Sequence, residues 1–542
     1  MTVDHLALLP AYLAAGTAVL VLLVDLAVDR WGATVLAAAA GAVATAAAAP
    51  LAGRGADRRT FCAGDACSYL FTGRSALVAT LFAMLTLGVL ALSVPLLRAG
   101  AVPAGEYCFL LACSMTGGVA LGAAGDLITL IVALETLTLP LYVLVAARRT
   151  IRAGAEAAVT FFVVSVVATA VTLLGAALLY AGTGRIHLNG LAAALDPGGA
   201  APRLPLTTVA VALVVLGLAF KVAAVPFHAW APSTYDGAPL PIAGYLSTAS
   251  KLGGAVALLA VAANAWPGGV AGPALPVRIT GPVLAVLAVL TMTVGNLVAL
   301  RQTRMVRLLA WSSVSQAGYF LAPLGALAVH RDAGAGSALG GAVLAYVVFY
   351  VLLEFAAFAA VVALRPADAD GGPIAGYRGA ARRHPLIGAA FVLALVGLAG
   401  LPPGLAGLFA KVVVVRSLLV GGAGWLAVVV ALNAVVGLAF YLRVAATLYS
   451  PLPVDAPAGA AAGWFRPGRV EPTGASAAVG ASEPAAAVGA SESAAGVGAS
   501  EPAAAAVLHA PARSVVVALM IATVVAVVIG FAPQLVLDVV AR

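Results

Sequence analysis

Residues Phe220–Lys251 read FKVAAVPFHAWAPSTYDGAPLPIAGYLSTASK, with a lysine at each end of the motif and both lysines in apolar surroundings. One apolar run reaches Lys221, five residues before Pro226, and His228 follows in the connection. The next run is centred on Lys251, with Ser247, Thr248 and Ser250 just before it. A lysine in the middle of a membrane helix costs ~2.5–3.5 kcal/mol on insertion scales, so it faces the bundle interior and water. Proline and glycine free backbone carbonyls, which membrane depth tolerates where a helix lines a hydrated cavity. The stretch therefore reads as a broken membrane helix followed by a second helix, each carrying a buried amine.

The rest of the chain supports a membrane protein. Of 542 residues, 63% are apolar and 9% charged, and the mean hydropathy is +1.09. A bundle of transmembrane helices need not hide that much apolar surface, whereas a soluble fold must. The net charge of +8 lies mainly on loops, and no basic cluster interleaved with aromatics is present, which excludes nucleic-acid binding. Only three of the 29 basic residues are lysine: Lys221, Lys251 and Lys411, all in apolar stretches. Arginine stays protonated at any relevant pH, while a desolvated lysine exchanges its proton. Lysine kept at three such places points to a need for a titratable amine.

At ~20 residues per span, the apolar runs predict an all-α polytopic fold of about fourteen transmembrane helices. They fall near 6–28, 33–51, 75–97, 105–122, 126–146, 157–181, 206–226, 238–262, 279–300, 308–328, 337–364, 385–418, 423–447 and 513–533. Asp4 and His5 precede the first run and no cleavage site follows it, so it reads as a retained helix. With the N-terminus outside, the tight clusters Arg148, Arg149 and Arg152, Arg301, Arg304 and Arg307, and Arg378, Arg382 and Arg383 fall in the cytoplasm. An even number of spans then returns the C-terminus to the outside. The organisation is 1–104 for three N-terminal spans, 105–262 and 279–447 for two repeats, 452–512 for a low-complexity cytoplasmic loop, and 513–542 for the last span.

Glu135 lies mid-span in DLITLIVALETLTLPLYVL, and Lys411 lies beyond Pro402, Pro403 and Gly404 in span twelve. Spans seven and twelve are the two proline-broken ones that also carry a lysine. They lie five spans apart, an odd number, so spans four to eight and nine to thirteen read as two inverted repeats with ion sites near the midplane. Cys62 and Cys67 lie in an outside loop that permits a disulfide or two thiols. Cys108 and Cys113 read as small apolar packing residues. No iron–sulfur or zinc spacing, dinucleotide fingerprint or phosphate loop is present.

The Phe220–Lys251 stretch resembles the antiporter-like subunits of the proton-pumping NADH–quinone oxidoreductase, respiratory complex I, in their subunit N form. Four further stretches are similar and occur in the same order: Asn296–Tyr319 (NLVALRQTRMVRLLAWSSVSQAGY), Gly376–Pro385 (GYRGAARRHP), Leu398–Lys411 (LAGLPPGLAGLFAK) and Asn433–Arg443 (NAVVGLAFYLR). The resemblance implies proton translocation along Glu135, Lys221, Lys251 and Lys411, with Glu135 as the partner of Lys221 and His228 on the uptake route. It implies no cofactor on this chain, with NAD, FMN, iron–sulfur clusters and quinone on other subunits or at their interfaces. It also implies a place in the cytoplasmic membrane beside other antiporter-like and small membrane subunits. Three departures stand out. Thr160 occupies a place where a lysine is frequent, Val306 and Gln316 replace a basic residue and a histidine, and Glu354 stands where an asparagine is usual, a sixth candidate for the proton route. A cation/proton antiporter of Mrp type shares the helical core, and a structural subunit with vestigial charges is the third reading.

Residues 479–505 repeat a nine-residue unit, VGASEPAAA, VGASESAAG and VGASEPAAA, in a segment rich in Ala, Gly, Pro, Ser and Glu. This composition reads as a disordered loop grown by repeat expansion. Deleting 475–505 is expected to leave membrane insertion and activity unchanged; a normally inserted but inactive deletion protein would contradict that.

Overall fold

The computed structural model describes residues 3–148, 151–195, 205–262, 277–327, 335–367, 369–451 and 510–541. The nine-residue repeat and Arg149 lie outside the described residues. In chain order the helices are α1 (His5–Val28), α2 (Trp31–Ala52), α3 (Gly73–Arg98), α4 (Ala104–Leu121), α5 (Leu127–Val145), α6 (Arg152–Thr183), α7 (Leu188–Leu195), α8 (Pro205–Lys221), α9 (Trp230–Gly237) and α10 (Leu240–Tyr245). There follow α11 (Lys251–Ala262), α12 (Val277–Ala299), α13 (Met305–Ala326), α14 (Ala335–Leu364), α15 (Ala380–Arg383), α16 (Pro385–Ala399), α17 (Leu405–Val420), α18 (Gly424–Tyr449), α19 (Arg513–Phe531) and α20 (Gln534–Ala541). Among the described residues, eleven helical stretches are long and apolar enough to cross a membrane. α13 is long enough but carries Ser312, Ser313, Ser315 and Gln316, all buried.

Two expected spans are divided, as their prolines and glycines dictate. The seventh ends as a helix at Lys221, earlier than the run to 226, and resumes as α9. The twelfth, read as one run over 385–418, separates into α16 and α17 around Gly400–Gly404. The eighth holds a π-helical turn at Leu246–Ser250 between α10 and α11.

α14 is the hub. It packs against α10, α11, α13, α16, α17 and α19, and 89% of its apolar window is buried inside the protein. The α10–α11 stretch is wholly buried as well. By contrast, α6 turns most of its surface outward, with Val159, Val163, Val167 and Leu174 exposed to where lipid lies.

The all-α membrane fold carries one short hairpin in addition. Arg58–Ala63 (β1) and Ala66–Phe71 (β2) form an antiparallel hairpin joined by Gly64 and Asp65, with Gly64 at φ +64°. Glycine followed by aspartate suits a two-residue hairpin turn. Cys62 and Cys67 face each other across it and form a disulfide. Asp4 caps α1 by accepting from the Leu6 and Ala7 amides at 3.0 and 3.1 Å, and Arg58 donates to its other oxygen at 3.3 Å. The hairpin is thereby tied to the start of the chain.

A charge cluster ties the first half of the sequence to the second. Arg304 Nε donates to Asp236 at 3.0 Å, and its Nη2 donates to Asp370 at 2.6 Å. Asp370 also accepts from Arg365 at 3.3 Å and from the Gly372 amide at 2.9 Å. Burial raises the affinity of Asp370 for a proton, but the hydrogen bond and charge of Arg304, with Arg365, outweigh it and hold the carboxyl below the usual range. A depressed carboxylate stabilises the fold fully above its unfolded value of ~3.9 and loses that contribution as pH falls through the lower folded value. Allowing for the partial exposure of the cluster, Asp370→Asn is expected to cost about 1–2 kcal/mol at pH 7. Thermal unfolding in detergent should show this deficit at pH 7 and its disappearance well below pH 4; a deficit that persisted unchanged in acid would contradict the assignment.

Candidate functional site

Lys221 is the last residue of α8, 5% exposed. The chain leaves the helix there because VAAVP cannot continue it: Ala223 sits at φ +53° and Pro226 has no amide to donate. The lysine amine therefore points across to α5 and α6. It donates to Glu135 Oε1 at 2.7 Å, Ser165 Oγ at 3.0 Å and Thr138 Oγ1 at 3.3 Å. All three ammonium protons have acceptors, as a buried cation requires. Thr169 donates to the same Glu135 oxygen at 2.6 Å. At this separation and an effective dielectric of ~20, the Coulomb attraction is about 6 kcal/mol before desolvation.

Lys251 begins α11 immediately after the π turn and is fully buried. The hydroxyls of Ser247 and Thr248 do not serve it; both donate to the Gly244 carbonyl, at 2.9 and 2.8 Å. The amine instead donates to the carbonyl of Val222 at 2.5 Å. That residue follows Lys221 directly, so the break in the seventh span joins both lysines. π turns recur at functional sites. His228 lies further along the same break, half-buried, with its ring 5.0 Å from Trp311. It is within electrostatic reach of Lys251.

The second break is built in a related way. The Lys411 amine donates to the carbonyls of Leu398 and Ala399 at 3.0 and 2.5 Å, the open C-terminal end of α16. It lies 5.0 Å from the centre of the Tyr319 ring, a cation–π distance. Gln316 joins this group: its amide donates to Leu398 O at 3.1 Å and to the Tyr441 hydroxyl at 2.9 Å, and Tyr346 donates to its carbonyl. Read from the sequence as a lost histidine, Gln316 is here a junction of buried hydrogen bonds.

Glu354, on α14, is fully buried and within electrostatic reach of Lys251. The geometry thus pairs Glu135 with Lys221, ties Lys251 to the carbonyl of the residue that follows Lys221, sets His228 and Glu354 within electrostatic reach of Lys251, and places Lys411 in a separate carbonyl-lined break. Ser165, Thr138, Thr169, Tyr319, Tyr346 and Tyr441 were not among the sequence candidates. Ser165 and Thr169 at i and i+4 on α6 were the available signal. Among the described residues, no group of three or more His, Cys, Asp or Glu is placed to hold a metal ion.

Residues 124–437 match the family described as NADH:quinone oxidoreductase/Mrp antiporter, transmembrane. The chain is 68% identical to NADH-quinone oxidoreductase subunit N of Salinispora tropica, over 100% of this chain and 99% of that one. Identity to NADH-quinone oxidoreductase subunit N 2 of Streptomyces griseus is 44% over 83% of each. A chain of respiratory complex I from Thermus thermophilus superposes with a TM-score of 0.71 at 27% identity, covering 98% of both. A chain of the Mrp complex from Dietzia gives 0.75 at 22% identity over 98% of this chain and 96% of that one, a likeness of fold. The chain belongs to the NADH:quinone oxidoreductase/Mrp antiporter family, in its subunit N group, and is a multi-pass membrane protein.

The break at Gly400 has no room for a side chain. The residue sits at φ +84°, and a Cβ there would meet Lys411 Cδ at 2.6 Å. Gly400→Ala is expected to cost about 1–2 kcal/mol for the left-handed backbone and to displace the lysine from its carbonyls. A lowered melting temperature in detergent checks this; an unchanged one would show that the break relaxes freely.

Proposed function

We propose that this chain is a membrane-arm subunit of an NADH–quinone oxidoreductase, seated in the cytoplasmic membrane with both termini outside, that moves protons along Glu135, Lys221, Lys251 and Lys411. The observation that carries the reading is the shared break: the Lys221 amine is held by Glu135 at 2.7 Å, and the next carbonyl in the chain, that of Val222, holds Lys251. Both amines are thus anchored at one break, Lys221 at its first residue and Lys251 on the carbonyl of the next. Subunit N membership supports the place in a multi-subunit complex. In this reading NAD, FMN, iron–sulfur clusters and quinone belong to other subunits or their interfaces, and this chain supplies the translocase.

In the resting arrangement Glu135, Ser165 and Thr138 hold Lys221 as an ammonium. Separating Glu135 from Lys221 removes an attraction of about 6 kcal/mol and leaves the amine able to give up its proton. Moving one charge against 100 mV costs about 2.3 kcal/mol, so opening a single ion pair is large enough to drive the transfer. The proton passes to Lys251, and Lys411 releases it outside; His228 belongs to the uptake side. The two inverted repeats give the path its midplane position.

A free-standing cation/proton antiporter has only the shared fold behind it. It is separated by purification from native membranes, in which this reading requires redox subunits to accompany the chain. Lys251→Arg keeps the charge and removes the exchangeable amine. The fully assembled variant complex is expected to oxidise NADH with fewer protons moved per electron pair in vesicles, and a normal ratio would refute the reading.

A further inference from the structure

The lysine row leaves a stretch without a named carrier between Lys251 and Lys411. Glu354 is fully buried, and neither of its carboxylate oxygens has a hydrogen-bond partner among the described residues. Buried polar groups are nearly always bonded, and an unpaired buried carboxylate is costly. An acid kept in that condition calls for a reason, and its surroundings supply one.

α14 carries Tyr346, Tyr350 and Glu354 at four-residue intervals, hence along one face. The Tyr350 hydroxyl donates at 2.8 Å to the Ser247 carbonyl, in the π turn that ends at Lys251. Tyr346 donates to Gln316. Gln316 in turn donates to Leu398 O, the same carbonyl that accepts from Lys411. One helix face therefore reaches the hydrogen-bond surroundings of both lysines. Glu354 is within electrostatic reach of Lys251 and also of Tyr441, whose hydroxyl accepts from Gln316 and bonds Ser312 at 2.5 Å. The amide of Gln316 has no proton to exchange at neutral pH, and phenols hold theirs firmly. Among the described residues around this face, Glu354 is the carboxyl that can change its protonation.

We propose that Glu354 is a proton-carrying residue that takes the proton from Lys251 and passes it toward Lys411. The inference rests on the lysine-row reading above. In the first step the Lys251 ammonium and the Glu354 carboxylate become a neutral amine and a carboxylic acid. In the second the acid returns to carboxylate as its proton moves on to the neutral amine of Lys411, which becomes an ammonium. Net charge is unchanged in each step. If Glu354 served only to neutralise Lys251, it would stay a carboxylate throughout.

The test uses the whole complex in vesicles, comparing Glu354→Gln, Glu354→Asp, Lys251→Arg and the Glu354→Gln/Lys251→Arg double variant. Glu354→Gln is expected to lower the protons moved per electron pair to the level of Lys251→Arg, and the double variant to go no lower, since the two act in one series. Glu354→Asp is expected to recover most of the ratio. Infrared difference spectra during turnover should show a protonated carboxyl band that Glu354→Gln removes. A normal ratio in Glu354→Gln beside an impaired Lys251→Arg overturns the proposal and leaves the lysine row standing. Normal ratios in both overturn the two together. Where Glu354→Gln does not assemble, the Asp variant and the wild-type band decide: a carboxyl band that does not change with turnover, or does not shift on Glu354→Asp, overturns the proposal.

Discussion

A bilayer offers no water to an open backbone carbonyl, so a helix broken inside it must find donors within the protein. Lysine amines meet that demand at both breaks. Val222 O receives Lys251, and Leu398 O and Ala399 O receive Lys411. The prolines and glycines that interrupt the helices and the lysines that close the interruptions are thus one arrangement. The packing of α14 through the centre follows from it, because α10, α11, α13, α16 and α17, which carry or flank the breaks, all lean on that helix.

Much of this was legible in the residues. Lysine stands out in a chain that otherwise uses arginine, and proline beside an apolar run marks a break whatever the partners. The pairing of Glu135 with Lys221 was legible only through resemblance, since nothing in the spacing of 135 and 221 says that α5 and α8 meet. The acceptor for Lys251 was not legible. Three hydroxyl residues precede it in sequence, yet two of these hydroxyls turn back on their own helix, and a backbone carbonyl does the work. Backbone acceptors leave no trace in side-chain chemistry. The role of Gln316 was not legible for a related reason: an amide in place of a histidine is a lost titratable group in sequence, and only its two-sided bonding makes it a junction. The hairpin was passed over because its strands lie in a connection between apolar runs, where the Gly64–Asp65 turn was the one local clue.

The two halves of the chain differ in how they hold charge. The first surrounds Lys221 with an acid and two hydroxyls, whereas the second surrounds Lys411 with carbonyls and an aromatic ring. Arg304, Asp236, Asp370 and Arg365 bind the halves at the loop level without entering the buried row.

The carbonyl caps have a consequence of their own. An amine that has lost its proton still carries two N–H groups, so it can go on closing a broken helix. An acid that gains a proton beside a lysine, by contrast, gives up the pairing that held the two together. In the proposed path the carbonyls of Val222, Leu398 and Ala399 therefore keep a donor whether or not the lysine is charged, whereas the acid–lysine pairings of Glu135 with Lys221 and of Glu354 with Lys251 respond to the proton. The proposed path thus sets its proton-sensitive acid–lysine pairs in a frame of capped carbonyls that does not depend on their charge.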